Sequence, residues 1–210
     1  INYNNETILE KNIVRFKKYL KDVPIQVVSN KKDITKVNEI NKKYNILLPV
    51  LGGKERHESV YNALVTIEKF NPKYVLIHDT ARPLVSYDVI EKLLEYCDKN
   101  ITCVVPTLNL TDSIRTVSKK LIKDVVNRQD KVLVQTPQLC NYKLLINAHK
   151  KSKKVYEDES SLFLSNGMKV IAIEGDPLTL KITYKKDLKL LEPHLCDSNV
   201  KYITKIGNGF

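Results

Sequence analysis

The sequence predicts an α/β protein built on a single doubly wound, mostly parallel sheet, with a protruding antiparallel β-arm. Three observations predict it. Apolar runs at 74–77, 101–105 and 170–173 show no alternation, as strands buried on both faces of a parallel sheet do. Stretches with helical spacing separate these runs, the strand–helix order of crossover units. Residues 107–135 break that order with short alternating stretches and polar turns, the pattern of an antiparallel excursion. No repeat, linker or low-complexity stretch divides the 210 residues, so 1–210 reads as one domain, long enough to bury a core.

Taken in order, residues 1–6 are polar and irregular. In 7–20, Ile8, Leu9, Ile13, Phe16 and Leu20 recur at helical spacing with lysines on the opposite face. A short strand is expected at 25–28. Residues 33–44 read as a polar helix with Ile34, Val37 and Ile40 to bury. A second strand follows at 46–51, interrupted by Pro49 and ending in Gly52-Gly53. The next helix runs to Phe70 and carries Val60, Leu64 and Ile67. A strand, a glycine pair and a helix start together present backbone N–H groups to an anion or a base edge.

The apolar run 74–77 stops abruptly at His78-Asp79-Thr80-Ala81-Arg82-Pro83. Open α/β sheets bind ligands at the carboxyl ends of their strands, which is where Asp79 falls. An Asp beside an Arg there suits a metal-bound, phosphate-bearing substrate: the carboxylate holds a hard cation and the guanidinium grips phosphate oxygens. The same residues also admit a plainer role, with Asp79 capping a turn and Arg82 pairing with a surface acid.

Ser86 N-caps a helix to 99 whose Val89, Ile90, Leu93 and Leu94 face inward. The strand 101–105 is closed by Pro106. Stretches 112–117, 121–127 and 132–135 make up the arm, which is too thin to bury its own face and is therefore a candidate dimerisation element. Thr136-Pro137-Gln138 turns into a helix over 141–151. Asp158-Glu159-Ser160-Ser161 opens another, ended by Asn166-Gly167. Strand 170–173, the Gly175-Asp176-Pro177 turn, strand 180–183 and a helix over 185–191 follow, and the tail from 199 is unassigned.

Composition excludes several classes. No apolar run approaches the ~20 residues of a membrane span. Cys97, Cys103, Cys140 and Cys196 form no C-x-x-C pair and have no histidine at zinc spacing, so they read as reduced thiols. The formal charge of +11 comes mainly from lysine. Without Trp or interleaved aromatic and basic residues, that charge fits anionic small substrates better than a nucleic-acid groove. Neither nucleic acid nor membrane is an expected partner. No signal peptide is visible, and Ile1 in place of Met predicts a fragment or a processed form.

Gly52-Gly53-Lys54-Glu55-Arg56-His57-Glu58-Ser59-Val60, the 78–83 stretch, Gln135-Thr136-Pro137-Gln138, Asp158-Glu159-Ser160-Ser161 and Glu174-Gly175-Asp176-Pro177 with Leu180-Lys181-Ile182-Thr183 form a series spread over nearly the whole chain. In order and spacing it resembles the 2-C-methyl-D-erythritol 4-phosphate cytidylyltransferases of the non-mevalonate isoprenoid pathway. The related ribitol-5-phosphate cytidylyltransferases share most of the pattern, but Ala81 before Arg82-Pro83 looks more like the erythritol enzymes.

The resemblance implies a reaction in which CTP and methylerythritol phosphate give the cytidine-diphosphate sugar alcohol and pyrophosphate, with Mg2+. It implies that Asp79 is the metal ligand and that Lys181 neutralises charge at the reacting phosphates, the two catalytic residues. CTP would be held by Gly52, Gly53, Ser59, Asp79, Thr80 and Lys181, and the sugar-alcohol phosphate by Arg82, Ser113, Arg128 and Thr136. Ser113 and Arg128 would reach into a partner subunit from the arm, making the enzyme a homodimer. The chain departs from the pattern in three places. Thr80 stands where Ala is frequent, 106–113 is longer than usual, and no basic glycine-rich loop precedes Ile1, so a first strand with its loop is expected upstream. A binding protein that has lost catalysis and a basic nucleic-acid-binding domain are the competing classes. The implied compartment is a plastid if the source is eukaryotic and the cytoplasm if it is bacterial.

Overall fold

The computed structural model describes residues 2–3, 6–152 and 154–195. Cys196 and the tail from 199 lie outside them, as do Ile1, Asn4 and Asn5. The chain starts with a small antiparallel ladder, β1 (Asn2–Tyr3) with β2 (Glu6–Thr7). Helix α1 (Ile8–Tyr19) begins there because Thr7 and Glu10 form a reciprocal capping box, with Thr7 Oγ1 accepting from the Glu10 N–H and Glu10 Oε2 accepting from the Thr7 N–H. Then come β3 (Val28–Ser29), α2 (Ile34–Tyr44), β4 (Val50–Leu51), α3 (Arg56–Ile67), β5 (Tyr74–Ile77), α4 (Tyr87–Leu94), β6 (Cys103–Asn109), β7 (Ile114–Ser118), β8 (Leu121–Val126), β9 (Val132–Val134), β10 (Gln138–Asn141), α5 (Tyr142–Lys151), α6 (Glu159–Ser165), β11 (Val170–Glu174) and α7 (Lys185–Leu195). Among the described residues no helix is long and apolar enough to cross a membrane.

The α/β class stands, but the sheet is mixed rather than mostly parallel. Its strand order is β11-β6-β10-β5, with β9 paired to the far half of β6. β11 runs parallel to β6, whereas β10 lies antiparallel to both β6 and β5. The sequence reading passes over β10 because it is four residues long and begins and ends with an amide. β3 and β4 form a separate parallel pair, much shorter than the strands expected at 25–28 and 46–51. Pro106 does not close β6. The strand runs through it to Asn109, and Pro106 is the register partner of Ile173. Residues 180–183 are not a strand, because the Ile182 N–H donates across the chain to the Ala81 carbonyl instead. The arm is present as the β7–β8 hairpin, turned at Lys119 and Lys120, which both take positive φ (49° and 68°).

Two apolar layers sandwich the sheet. Cys103, Val105 and Cys140 point to one face and pack with Leu64, Leu145 and Phe163 from α3, α5 and α6. Val104 and Leu139 point to the other and pack with Val89, Ile90 and Leu93 of α4. That alternation is the period of two that a strand buried on both faces must obey. Cys103 and Cys140 are register partners, with sulfurs 3.6 Å apart as free thiols.

β5 differs from the expectation of full burial: all four of its residues are only half-buried. It ends the sheet, and beyond it lies an apolar cavity of about 680 Å³, lined by Val27 and Val28 on one side and by Tyr74, Val75, Leu76 and Ile77 on the other. Asp79, Arg56, Ser59 and Lys181 stand among the polar residues that line it.

Candidate active site

The site collects where four loops meet at the end of β5. Asp79 follows that strand by two residues, and its backbone N–H donates to Thr136 Oγ1 at 3.0 Å. Thr136 is buried and also lies 3.1 Å from His78 Nδ1. Nε2 of His78 is 2.9 Å from the Arg82 carbonyl and 3.1 Å from Asn12 Oδ1. Burial drives the His78 imidazole down to about 4, so it is neutral at pH 7 and acts as a brace for the loop. Asn12 donates to the Thr80 carbonyl at 2.8 Å, which fixes the backbone while leaving the Thr80 side chain exposed.

Three cations converge on the Asp79 carboxylate. Lys181 Nζ is 3.1 Å from Oδ2, Arg56 Nε is 3.2 Å from Oδ1, and Arg82 Nε is 3.8 Å from Oδ2. Burial pushes the Asp79 carboxyl upward, but the charges of Arg56 and Lys181 overcome it and hold the group below its ordinary value. Arg82 is anchored by its terminal nitrogens to the carbonyls of Thr179 (2.9 Å) and Val134 (3.5 Å). Lys181 is brought in by the extended 180–183 segment, which the Ile182–Ala81 hydrogen bond docks beside the 78–83 loop.

The glycine pair sits on the same side. A methyl group at Gly52 would come within 2.7 Å of Ser59 Oγ, and one at Gly53 within 2.4 Å of Glu58 Cβ, so only glycine fits this turn against the start of α3. Ser59 Oγ accepts the Gly53 N–H and donates to the Glu55 carbonyl, both at 3.1 Å. Its second lone pair remains for a ligand.

Asp79, Thr80, Arg82, Thr136 and Lys181 are thus brought together, with Ser59 lining the adjoining cavity and Gly52 and Gly53 packed against Ser59. Ser113 and Arg128 are not. Both are exposed on the arm, where Arg128 donates to the Thr111 carbonyl. The sequence reading assigns no role to Arg56, Glu159, His78 or Asn12. Arg56 and Glu159 lie inside two of the quoted motifs, and their pairing across 103 positions is invisible without the fold. Gln135 and Gln138 also act as structure. The Gln135 amide holds Asp176, and the Gln138 amide ties Asp158 to the Ser160 N–H.

Among the described residues no group of three or more His, Cys, Asp or Glu side chains could cage a metal. A lone carboxylate nevertheless fits Mg2+, which keeps most of its waters and is usually held by one or two carboxylates plus substrate phosphates. The surrounding cations also match a polyanionic ligand better than a bare ion.

The family model for 2-C-methyl-D-erythritol 4-phosphate cytidylyltransferase matches residues 1–196. A protein of that name from Dictyoglomus thermophilum is 38% identical over 77% of this chain and 71% of its own length. A bifunctional IspD/IspF enzyme of Pelagibacter ubique is 37% identical over 90% of this chain, which spans half of that relative. The crystal structure of the cytidylyltransferase of Francisella tularensis superposes with a TM-score of 0.77 at 30% identity, covering 90% of this chain and 88% of the other.

Proposed function

The chain belongs to the 2-C-methyl-D-erythritol 4-phosphate cytidylyltransferase family, and from that premise we propose that it transfers CMP from CTP to 2-C-methyl-D-erythritol 4-phosphate and releases pyrophosphate. One observation carries the reading: a single strand-end carboxylate, Asp79, within reach of Lys181, Arg56 and Arg82. Such a cluster suits the meeting of two polyanions, where positioning and charge neutralisation dominate the barrier.

Asp79 would hold Mg2+, which when bound would supply neutralisation of the phosphate charge. Lys181, on a half-exposed side chain ion-paired to Asp79, is free to turn onto the reacting phosphates. Arg82 and the Thr136 hydroxyl would receive the phosphate of the sugar alcohol, whose oxygen attacks the α-phosphorus in line. The cytosine would lie against Gly52, Gly53 and Ser59, read by backbone groups and the hydroxyl, with Thr80 at its side.

Ser113 and Arg128 complete the acceptor site of a partner subunit in this reading, with the β7–β8 arm as the dimer contact. The cavity between β3 and β5 has the apolar lining and the free strand edge that one further β-strand would need. A strand there would deliver a glycine loop to the triphosphate. The compartment follows the source: a plastid in a eukaryote, the cytoplasm in a bacterium.

The test is pyrophosphate release from CTP and Mg2+ with either methylerythritol phosphate or ribitol 5-phosphate as acceptor. Turnover with the first and not the second is the expected result. No release with either acceptor would leave a nucleotide-binding relative without catalysis.

A further inference from the structure

We propose that Arg56 and Glu159 form a positioning pair that fixes the Asp79 carboxylate for a divalent cation while cancelling the guanidinium charge beside it. The proposal rests on reading Asp79 as the metal anchor, and it assigns a role to two residues outside the substrate-binding set.

The three cations around Asp79 are not equivalent. Lys181 is nearly half exposed and sits on an irregular segment. Arg82 lies too far from Asp79 for a hydrogen bond and is committed to two carbonyls. Arg56 has all three nitrogens engaged with acids: Nε with Asp79 Oδ1 at 3.2 Å, and the two terminal nitrogens with Glu159 Oε1 and Oε2 at 2.8 and 3.0 Å. A two-point fork of this kind fixes the plane of the guanidinium, and with it the direction of the remaining N–H.

Glu159 cannot let go. Its side chain is 2% exposed, and a buried carboxylate that loses its partner carries an uncompensated desolvation cost. Burial pushes its carboxyl up, and the donors of Arg56 oppose that shift. Glu159 is in turn held at the first position of α6, where Asp158 caps the helix and the Gln138 amide ties Asp158 and the Ser160 N–H to β10. β10 pairs with β5, the strand that leads into Asp79. The clamp therefore closes a loop of contacts that returns to its own target.

Charge supplies the second half of the argument. A lone guanidinium next to a metal anchor repels the cation that the anchor must bind. With Glu159 on its far side, Arg56 orients Asp79 as a near-neutral unit. The two roles separate on substitution, because Glu159→Gln leaves the guanidinium in place but uncompensated.

The experiment titrates Mn2+ in the presence of CTP without acceptor, following protein-bound Mn2+ by electron paramagnetic resonance, with protein-free CTP as the baseline. Glu159→Gln is expected to weaken Mn2+ binding about 10-fold, the usual scale for a residue supporting a metal ligand. Arg56→Gln/Glu159→Gln should recover part of that loss. Thermal unfolding verifies that each variant is folded, and Asp79→Asn supplies the reference. If Asp79→Asn leaves Mn2+ binding unchanged, the metal-anchor reading fails and the proposal falls with it. If Asp79→Asn abolishes binding while folded Glu159→Gln stays within twofold of wild type, the pair is purely structural and this proposal alone is overturned. Should Glu159→Gln not fold, the double variant, which buries no unpaired charge, decides the matter. Mn2+ affinity below wild type supports the clamp, and wild-type affinity refutes it.

Discussion

The Asp79 rim and the β7–β8 arm are built in opposite ways. At the rim nearly every polar group is held by a partner from the same chain. Asp79 touches Arg56 and Lys181, Thr136 bridges Asp79 to His78, and Asn12 pins Thr80. On the arm, Val117, Leu121, Ile122 and Val125 are 61–75% exposed, and the exposed Arg128 guanidinium donates to the Thr111 carbonyl. The register puts Val117 and Ile122 on one face of the hairpin and Leu121 and Val125 on the other, so both faces expose apolar side chains to a partner. The difference teaches that the rim is organised before any ligand arrives, whereas the arm carries residues whose work, on our reading, is done against a second copy.

The sharpest way to break the comparison is at its rigid end. Asp79→Asn should lower turnover by about 10²–10³-fold, the scale for losing one preorganised electrostatic contact, in a variant that still folds. Turnover within a few-fold of wild type in steady-state kinetics would remove the rim from the chemistry.

Stability should divide along the same line. Leu145→Ala, in the fully buried layer under α5, is expected to cost about 2–5 kcal/mol in urea unfolding. Val125→Ala on the arm should change it by less than about 0.5 kcal/mol, while Val125→Asp should shift sedimentation toward a monomer. A dimer that survives Val125→Asp would place the interface elsewhere.

For the arm's chemistry, Arg128→Ala should reduce turnover by about 10²-fold without loss of folding. Mixing that variant with Asp79→Ala should restore part of the activity, because a mixed dimer holds one intact shared site. Absence of any restoration assigns Arg128 to its own chain.

The rim also makes a prediction about pH. The folded His78 titrates near 4 against an ordinary 6.5, so between those values the unfolded chain binds more protons. Its stabilisation is therefore complete above pH 6.5 and is lost as the pH falls toward 4. Lowering the pH from 7 to 5 should cost about 2 kcal/mol through this residue. His149, also driven to about 4 by burial, adds to the loss in the same direction. Urea unfolding of His78→Gln at both pH values should show that part of the slope removed.

Local chemistry was readable wherever a few neighbouring residues decide the outcome. Ser86 and Asp158 start their helices through side-chain caps within three positions. The apolar runs around 74–77, 101–105 and 170–173 became strands, and Asp79 sits just past the end of one, as strand-end logic requires. The tertiary structure alone decided the rest. Gln138–Asn141 became a central antiparallel strand because β5 and β6 both offered it edges, and residues 180–183 stayed irregular because Ala81 took the Ile182 hydrogen bond. Arg56 found Glu159 across 103 positions only once two helix starts had been packed side by side. Caps and hydrophobic periods act over one or two turns of chain, whereas pairings between distant segments depend on which surfaces packing brings together.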